Sequence, residues 1–303
     1  MTQPELPLSE HAPEGGGDST WSVIAAFAVI GIALILFAPI LGHMVLHWVN
    51  SDGDYTHGLL IVPLSLYFAF ERRDRLRQAP IEMSWWGIVP LALGAVALAI
   101  GRLGVELTSM RTGVVLTLIG FVLLLFGRHV FKILVFPLFF LFLMVPLPQS
   151  LVNTIAFPLQ LIAAQIGVSA LHLLGVPALV EGNIIHLAHV DLFVAKACSG
   201  LRSLMALITL GVVFSYFLER GIIRRAIIVA STIPIAILVN ALRVALTALI
   251  AHYHGSEIAT GPLHDYQGVF LFGMAFVLLL AESALLNLIP GWRRPANPAR
   301  EAS

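Results

Sequence analysis

The sequence predicts an all-α polytopic integral membrane protein of about eight transmembrane helices. An interfacial or re-entrant helix and a small cap on the outer face are expected beside them. Three observations predict this class. Residues of the Ala, Val, Ile, Leu, Met, Phe, Trp, Tyr and Cys group make up 58% of the 303-residue chain, and Asp, Glu, Lys and Arg together only 11%. The mean hydropathy is +0.93. The few charges are also partitioned, with basic residues gathered in short stretches between apolar runs. A soluble domain carries about 25% charged residues, so this chain cannot cover a water-facing surface. Disorder and a nucleic-acid-binding module are excluded, the latter because 17 basic residues merely balance 17 acidic ones. One cysteine excludes an intrachain disulfide scaffold.

A spanning helix needs about 20 mostly apolar residues to cross about 30 Å of hydrocarbon. Eight segments approach that, at about 21–49, 55–71, 85–101, 112–127, 132–148, 199–218, 226–252 and 266–290. Several are short, which points to tilt or local bilayer thinning. Residues 1–20 hold four acids and no Lys or Arg. They lack the positive region of a signal peptide, and read as a disordered cytoplasmic tail before a retained first span. Residues 21–290 form the membrane core, and 291–303 a basic cytoplasmic tail.

Orientation follows from Lys and Arg in short loops. Arg72, Arg73, Arg75 and Arg77, then Arg128 and Lys132, then Arg220, Arg224 and Arg225, and finally Arg293, Arg294 and Arg300 mark the inner side. They are twelve of the seventeen bases. The opposite loops, 50–54, 102–111, 175–197 and 253–265, are poor in them. Both termini are then cytoplasmic. On this reading the fifth span ends outside near Pro146 and Pro148, and the sixth starts outside near Cys198. Residues 151–174 must then not cross. Their Asn153, Gln160, Gln165, Ser169 and His172 suit an interfacial or re-entrant helix. Short β-branched runs on either side of Glu181-Gly182-Asn183 predict a small outer hairpin.

Three places could carry chemistry. The only cysteine sits in Ala197-Cys198-Ser199-Gly200-Leu201-Arg202, where an outer loop becomes a helix. A thiolate there feels the positive end of the helix dipole, and Arg202 four residues on, with Lys196 close before, adds a cation. The bland alternative is a small apolar core residue. Arg243 lies inside a span, where a charge costs about 2.5–3.5 kcal/mol near the centre and faces the bundle interior. Asn240, at i−3, shares its face and can help orient the guanidinium; the competing reading is an Arg that snorkels outward. The last outer loop holds His252, His254, His264 and Asp265. Their spacing is not H-E-x-x-H, and one cysteine excludes a multi-thiolate zinc site, so no metal or cofactor is expected. A thiol nucleophile, an imidazole that shuttles protons and a cation that stabilises an oxyanion form a coherent set for acyl transfer.

In order and spacing these strings resemble the exosortase/archaeosortase family. They are Glu181-Gly182-Asn183, Ala197 to Leu204, Asn240-Ala241-Leu242-Arg243 and His264-Asp265, preceded by Tyr55-Thr56-His57-Gly58-Leu59-Leu60-Ile61-Val62-Pro63. The resemblance covers residues about 50–290. It implies a membrane cysteine transpeptidase, a thiol protease of the cell inner membrane with its active site facing the periplasm. Cys198 matches the nucleophile and Arg243 the family's arginine. His264 matches a position that is His in bacterial members and Arg in archaeal ones. The implied partners are exported proteins ending in a sorting signal of PEP-CTERM type: a Pro-Glu-Pro motif, a transmembrane helix and a basic tail. Their processing is linked to exopolysaccharide, within membrane lipid and without nucleic acid. Arg202, Asn240, Asp265, Glu181, Asn183 and His57 are the candidate supporting or substrate-positioning residues, and either Arg202 or Arg243 serves the thiolate. The rival reading is a transporter or channel that lines its path with intramembrane Arg and His.

Overall fold

The structure is a computed structural model, and it describes residues 16–50, 55–104, 106–193, 200–219, 221–260 and 262–289. The chain divides into two compact units, Met1–Leu46 with Ile61–Val145, and His47–Leu60 with Pro146–Ser303.

The first unit opens with α1 (Gly16–Leu36) and α2 (Ala38–Asn50), bent by 63° across Phe37. Then come α3 (Gly58–Glu71), the short basic α4 (Arg73–Gln78), α5 (Ile88–Leu103), α6 (Leu107–Phe121) and α7 (Gly127–Phe140). Helices α5 and α6 pack closely because side chains are missing where they meet. A Cβ at Gly94 would strike Thr117, and one at Gly101 would strike Met110. Small residues at such contacts let transmembrane backbones approach. The hydroxyl of Thr117 is satisfied within its own helix by the carbonyl of Gly113, 2.8 Å away.

The helical run Leu107–Met144 has 38 residues and would be about 57 Å long if straight. It is not straight. A π-turn at Val122–Phe126 leads into Gly127, with φ +83° and ψ −175°, a backbone conformation that favours glycine. A Cβ there would also collide with the carbonyl of Glu82. The chain folds back at this point, and the 3₁₀ turn Leu141–Met144 that ends α7 packs against α6. The reversal falls at the start of the basic 127–132 turn. Helix α7 is held to α3 by Ser65, whose hydroxyl donates to the Pro137 carbonyl at 2.9 Å. Phe68, fully buried, sits edge-on to Phe136 and Phe140.

At the start of α6, Glu106 takes the N-cap position and accepts from the backbone N–H of Thr108 (2.9 Å) and Ser109 (2.5 Å). Burial pushes its carboxyl up, but the hydrogen bonds from Ser109 and Thr108 outweigh it and hold the pKa at about 2, against an ordinary 4.5.

The second unit contains α8 (Gln149–Leu173), the strands β1 (Ala178–Glu181), β2 (Ile184–Leu187) and β3 (Asp191–Phe193), and then α9 (Gly200–Leu218), α10 (Ile222–His254), α11 (Ser256–Thr260) and α12 (Pro262–Leu288). Helix α9 runs antiparallel to α10, with Gly211 against Thr232. Helix α12 is also antiparallel to α10, with Gly268 at Arg243 and Ser231 bonded to Glu282. Helix α8 runs parallel to α10. Its Ala156 packs in the cluster of Ala236 and Val239, its Gly167 meets Val244, and its Leu171 packs in the cluster of Ala248 and Ala251. The other faces carry large exposed apolar side chains, including Ile233 and Leu238 of α10 and Val269 and Phe270 of α12. Lipid is the solvent that accommodates them.

This arrangement bears on residues 151–174, for which an interfacial or re-entrant helix is expected. Helix α8 has 25 residues, about 37 Å, and is long and apolar enough to cross. Its polar side chains do not force it to the interface, because several are satisfied where they stand. Ser169 donates to the carbonyl of Gln165 at 2.8 Å, and a ring nitrogen of His172 lies 2.8 Å from the carbonyl of Ala178. The start of α8 and the start of α9 therefore lie at opposite ends of the bundle, whereas the charge pattern placed Pro146, Pro148 and Cys198 on one side. Among the described residues, five helical runs qualify as crossings by length and composition, or six if the bent α1–α2 pair is one span; Gly58–Glu71 and Leu204–Leu218 are shorter apolar helices. The expected count of about eight is not reached by that measure.

The expected hairpin is present as a three-stranded antiparallel sheet, ordered β1-β2-β3. Gly182, with φ +60°, starts the two-residue turn between Glu181 and Ile184. Ile185, Leu187 and Leu192 are buried with α8 and α10, so the sheet caps one end of the bundle.

The opposite end is closed by charge. Glu219 is 1% exposed and Arg224 7%, with Arg224 Nε 2.7 Å from Glu219 Oε2. Ser283 donates to the other oxygen of Glu219, and Arg224 donates to Asn287 at 2.7 Å. Arg225 donates to the backbone carbonyls of Glu219 and Tyr216. Removing one partner from such a buried set leaves the other charge uncompensated.

Candidate active site at the capped end of the bundle

The capped end gathers the ends of α8 and α10 and the starts of α9 and α12. Arg243 lies on α10 about three turns before that helix ends at His254. It is partly buried, and among the described residues its guanidinium has neither an acid nor a hydrogen-bond partner. It rests on α12 instead. A Cβ added to Gly268 would collide with its Nη2 and come within 3.4 Å of its Cζ. One turn further along α10, the fully buried Thr247 donates from Oγ1 to Gln267 Oε1 at 3.1 Å. These two contacts fix the register of α12 on α10.

His264 lies four positions before Gly268 in the same helix, on the same face and one turn nearer the cap. The side chains of His264 and Asp265 lie outside the described residues. Cys198 also falls outside them, in 194–199, a segment bounded by β3 and the start of α9. Arg202 is in the first turn of α9, and its side chain is likewise outside. The described backbone thus brings the position of His264 close to Arg243 along α12. The described elements on either side of residues 194–199, β3 and the start of α9, belong to the same end of the bundle.

Asn240 is 4% exposed, and its Oδ1 is buried without a hydrogen-bond partner among the described residues. It lines a small cavity with Leu159, Leu204, Ala236 and Ile237. An unsatisfied buried acceptor is costly, typically about 1–3 kcal/mol. Glu181 precedes the turn of the cap, and Asn183 is its second residue. Glu181 Oε2 lies 3.7 Å from His186 Nε2, and His186 Nδ1 lies 2.7 Å from Asp191 Oδ1. Sequence reasoning missed His186 and Asp191, because cross-strand partners are visible only once the register is known. His57 precedes α3, its ring 5.9 Å from that of Tyr55, which in turn faces His47 at 5.6 Å. His252 packs edge-on to Tyr253. Its Nδ1 is buried without a hydrogen-bond partner among the described residues. Among the described residues no group of three or more His, Cys, Asp or Glu is placed to hold a metal ion.

The family model of the transmembrane exosortases matches residues 48–281. The chain belongs to the transmembrane exosortase family. It is therefore a multi-pass membrane protein of a family of cysteine-type transpeptidases. The match takes in α3 through most of α12, including every candidate site residue from His57 to Asp265. No curated protein and no solved structure matches the chain. No carboxylate among the described residues meets the Arg243 guanidinium. In a low-dielectric site such a charge stabilises an anion far better than it does in water.

Proposed function

We propose that the protein is a membrane cysteine protease and transpeptidase that cleaves the C-terminal sorting signal of exported proteins. The cleavage takes place at the outer face of the bacterial inner membrane. The substrates end in a Pro-Glu-Pro-type motif, a transmembrane helix and a basic tail, and their sorting is linked to exopolysaccharide. The capped end of the bundle faces the periplasm. Cys198 Sγ attacks the scissile carbonyl carbon, and the carbonyl oxygen takes the negative charge beside Arg243. His264 accepts the thiol proton and returns it to the leaving amine as the C–N bond breaks. Water or an acceptor nucleophile then resolves the thioester. Asn240, Glu181, Asn183, Asp265 and His57 serve to position the substrate, and either Arg202 or Arg243 serves the thiolate.

The observation that carries this reading is the guanidinium of Arg243, which meets no acid among the described residues and is seated on α12 one turn from the position of His264. The family match supplies the thiol chemistry. The test is co-expression with a reporter ending in a Pro-Glu-Pro motif, an apolar helix and an Arg cluster. Loss of cleavage in each of Cys198→Ala, Arg243→Ala and His264→Ala is expected. Cleavage retained by Cys198→Ala would sink the proposal. A transporter would keep its function in that variant and lose it in Arg243→Ala.

A further inference from the structure

The guanidinium of Arg243 lies where a side chain of Gly268 would be, and its neighbour Gln267 is tied to buried Thr247. We propose that Gly268 is a positioning residue for Arg243. The bare backbone of α12 is the seat that aims the guanidinium, and the Thr247–Gln267 hydrogen bond keeps that seat opposite it. The inference rests on the reading of Arg243 as the group that receives negative charge. Two observations separate this glycine from the others on the helix. Gly273, also in α12, has nothing within 4 Å of where its Cβ would stand. At Gly268 the colliding atom is the far end of a long side chain, so an added methyl is relieved by moving the guanidinium and not the helix. Alanine is the better helix former, so the fold tolerates Ala at either position. Only at 268 does the substitution re-aim a charge.

The experiment uses the full chain in detergent or liposomes with the sorting-signal reporter, and compares Gly268→Ala, Gly273→Ala and each of them in an Arg243→Ala background. Gly268→Ala is expected to lower kcat about tenfold to a hundredfold, the scale on which a misplacement of about 1 Å acts. KM and Tm stay at wild-type values, and Gly273→Ala behaves as wild type throughout. In the Arg243→Ala background, Gly268→Ala should cost nothing further, because the group it displaces is gone. A wild-type kcat in Gly268→Ala, or a loss that multiplies with that of Arg243→Ala, overturns the proposal. A second arm needs no substrate. Labelling with an arginine-selective dicarbonyl, mapped by mass spectrometry, should rise at Arg243 in Gly268→Ala and stay constant at Arg224. Unchanged labelling at Arg243 overturns the seat. A wild-type protein that cleaves no reporter while the labelling shift appears would count against the proposed function alone.

Discussion

Arg224 and Arg243 stand on the same helix, α10, and the protein treats their charges in opposite ways. Arg224 is 7% exposed and completes a closed set with Glu219, Ser283 and Asn287. Arg243 is partly buried, rests on a glycine, and among the described residues has no acid to meet it. A charge inside a bundle is costly either way. At one end of the bundle that cost is offset within the fold, so the charge is structural. At the other, no acid among the described residues offsets it.

Four substitutions would break or sharpen this contrast. Arg224→Ala should act first on stability. It leaves the Glu219 carboxylate buried without its ion-pair partner, at about 3–5 kcal/mol, read as a fall in Tm and in the folded fraction by size-exclusion chromatography. An unchanged Tm would mean that the pair contributes nothing. Arg243→Ala should reverse the pattern: a loss of about a hundredfold or more in reporter cleavage, the scale of removing one oxyanion donor, at a wild-type Tm. The double variant Glu219→Leu with Arg224→Met should be clearly more stable than Arg224→Ala alone. Replacing both members of a buried pair by apolar groups is far milder than removing one, and a Tm at or below that of the single variant would refute the pairing. The smallest effect belongs to Glu106. Its carboxyl is held at about 2 from an ordinary 4.5. Its contribution is therefore present above about pH 4.5 and lost as the pH falls toward 2. Glu106→Gln should cost about 0.5–1 kcal/mol at neutral pH and flatten that part of the Tm–pH curve. A variant that keeps the wild-type curve would show that the cap is idle.

The sequence made Arg243 legible because an ionisable group in an apolar run announces itself. Gly268 was hidden, since glycine is common in membrane helices and its contact lies on another helix. The turn at 127–132 was readable from Arg128 and Lys132. The unusual dihedral of Gly127, which makes the turn, was not. Helix α8 was harder to read for a physical reason: Gln165, Ser169 and His172 look like interfacial residues in a one-dimensional count. The fold supplies a helix carbonyl to Ser169 and a strand carbonyl to His172. The segment between Val145 and Gln149 contains no Lys or Arg, so the charge rule had nothing to read there. The cap was legible as a hairpin from its β-branched runs around Gly182, but its His186–Asp191 contact required the pairing register.

The parallel course of α8 and α10 has a consequence for bookkeeping across the bilayer. If α8, α9, α10 and α12, which alternate in direction, each cross, the chain returns to the compartment from which α8 departs. A glycosylation or alkaline phosphatase tag inserted near residue 147 must then report the same compartment as one placed after residue 289. Tags in the cap, or at Gly255 between α10 and α11, must report the other.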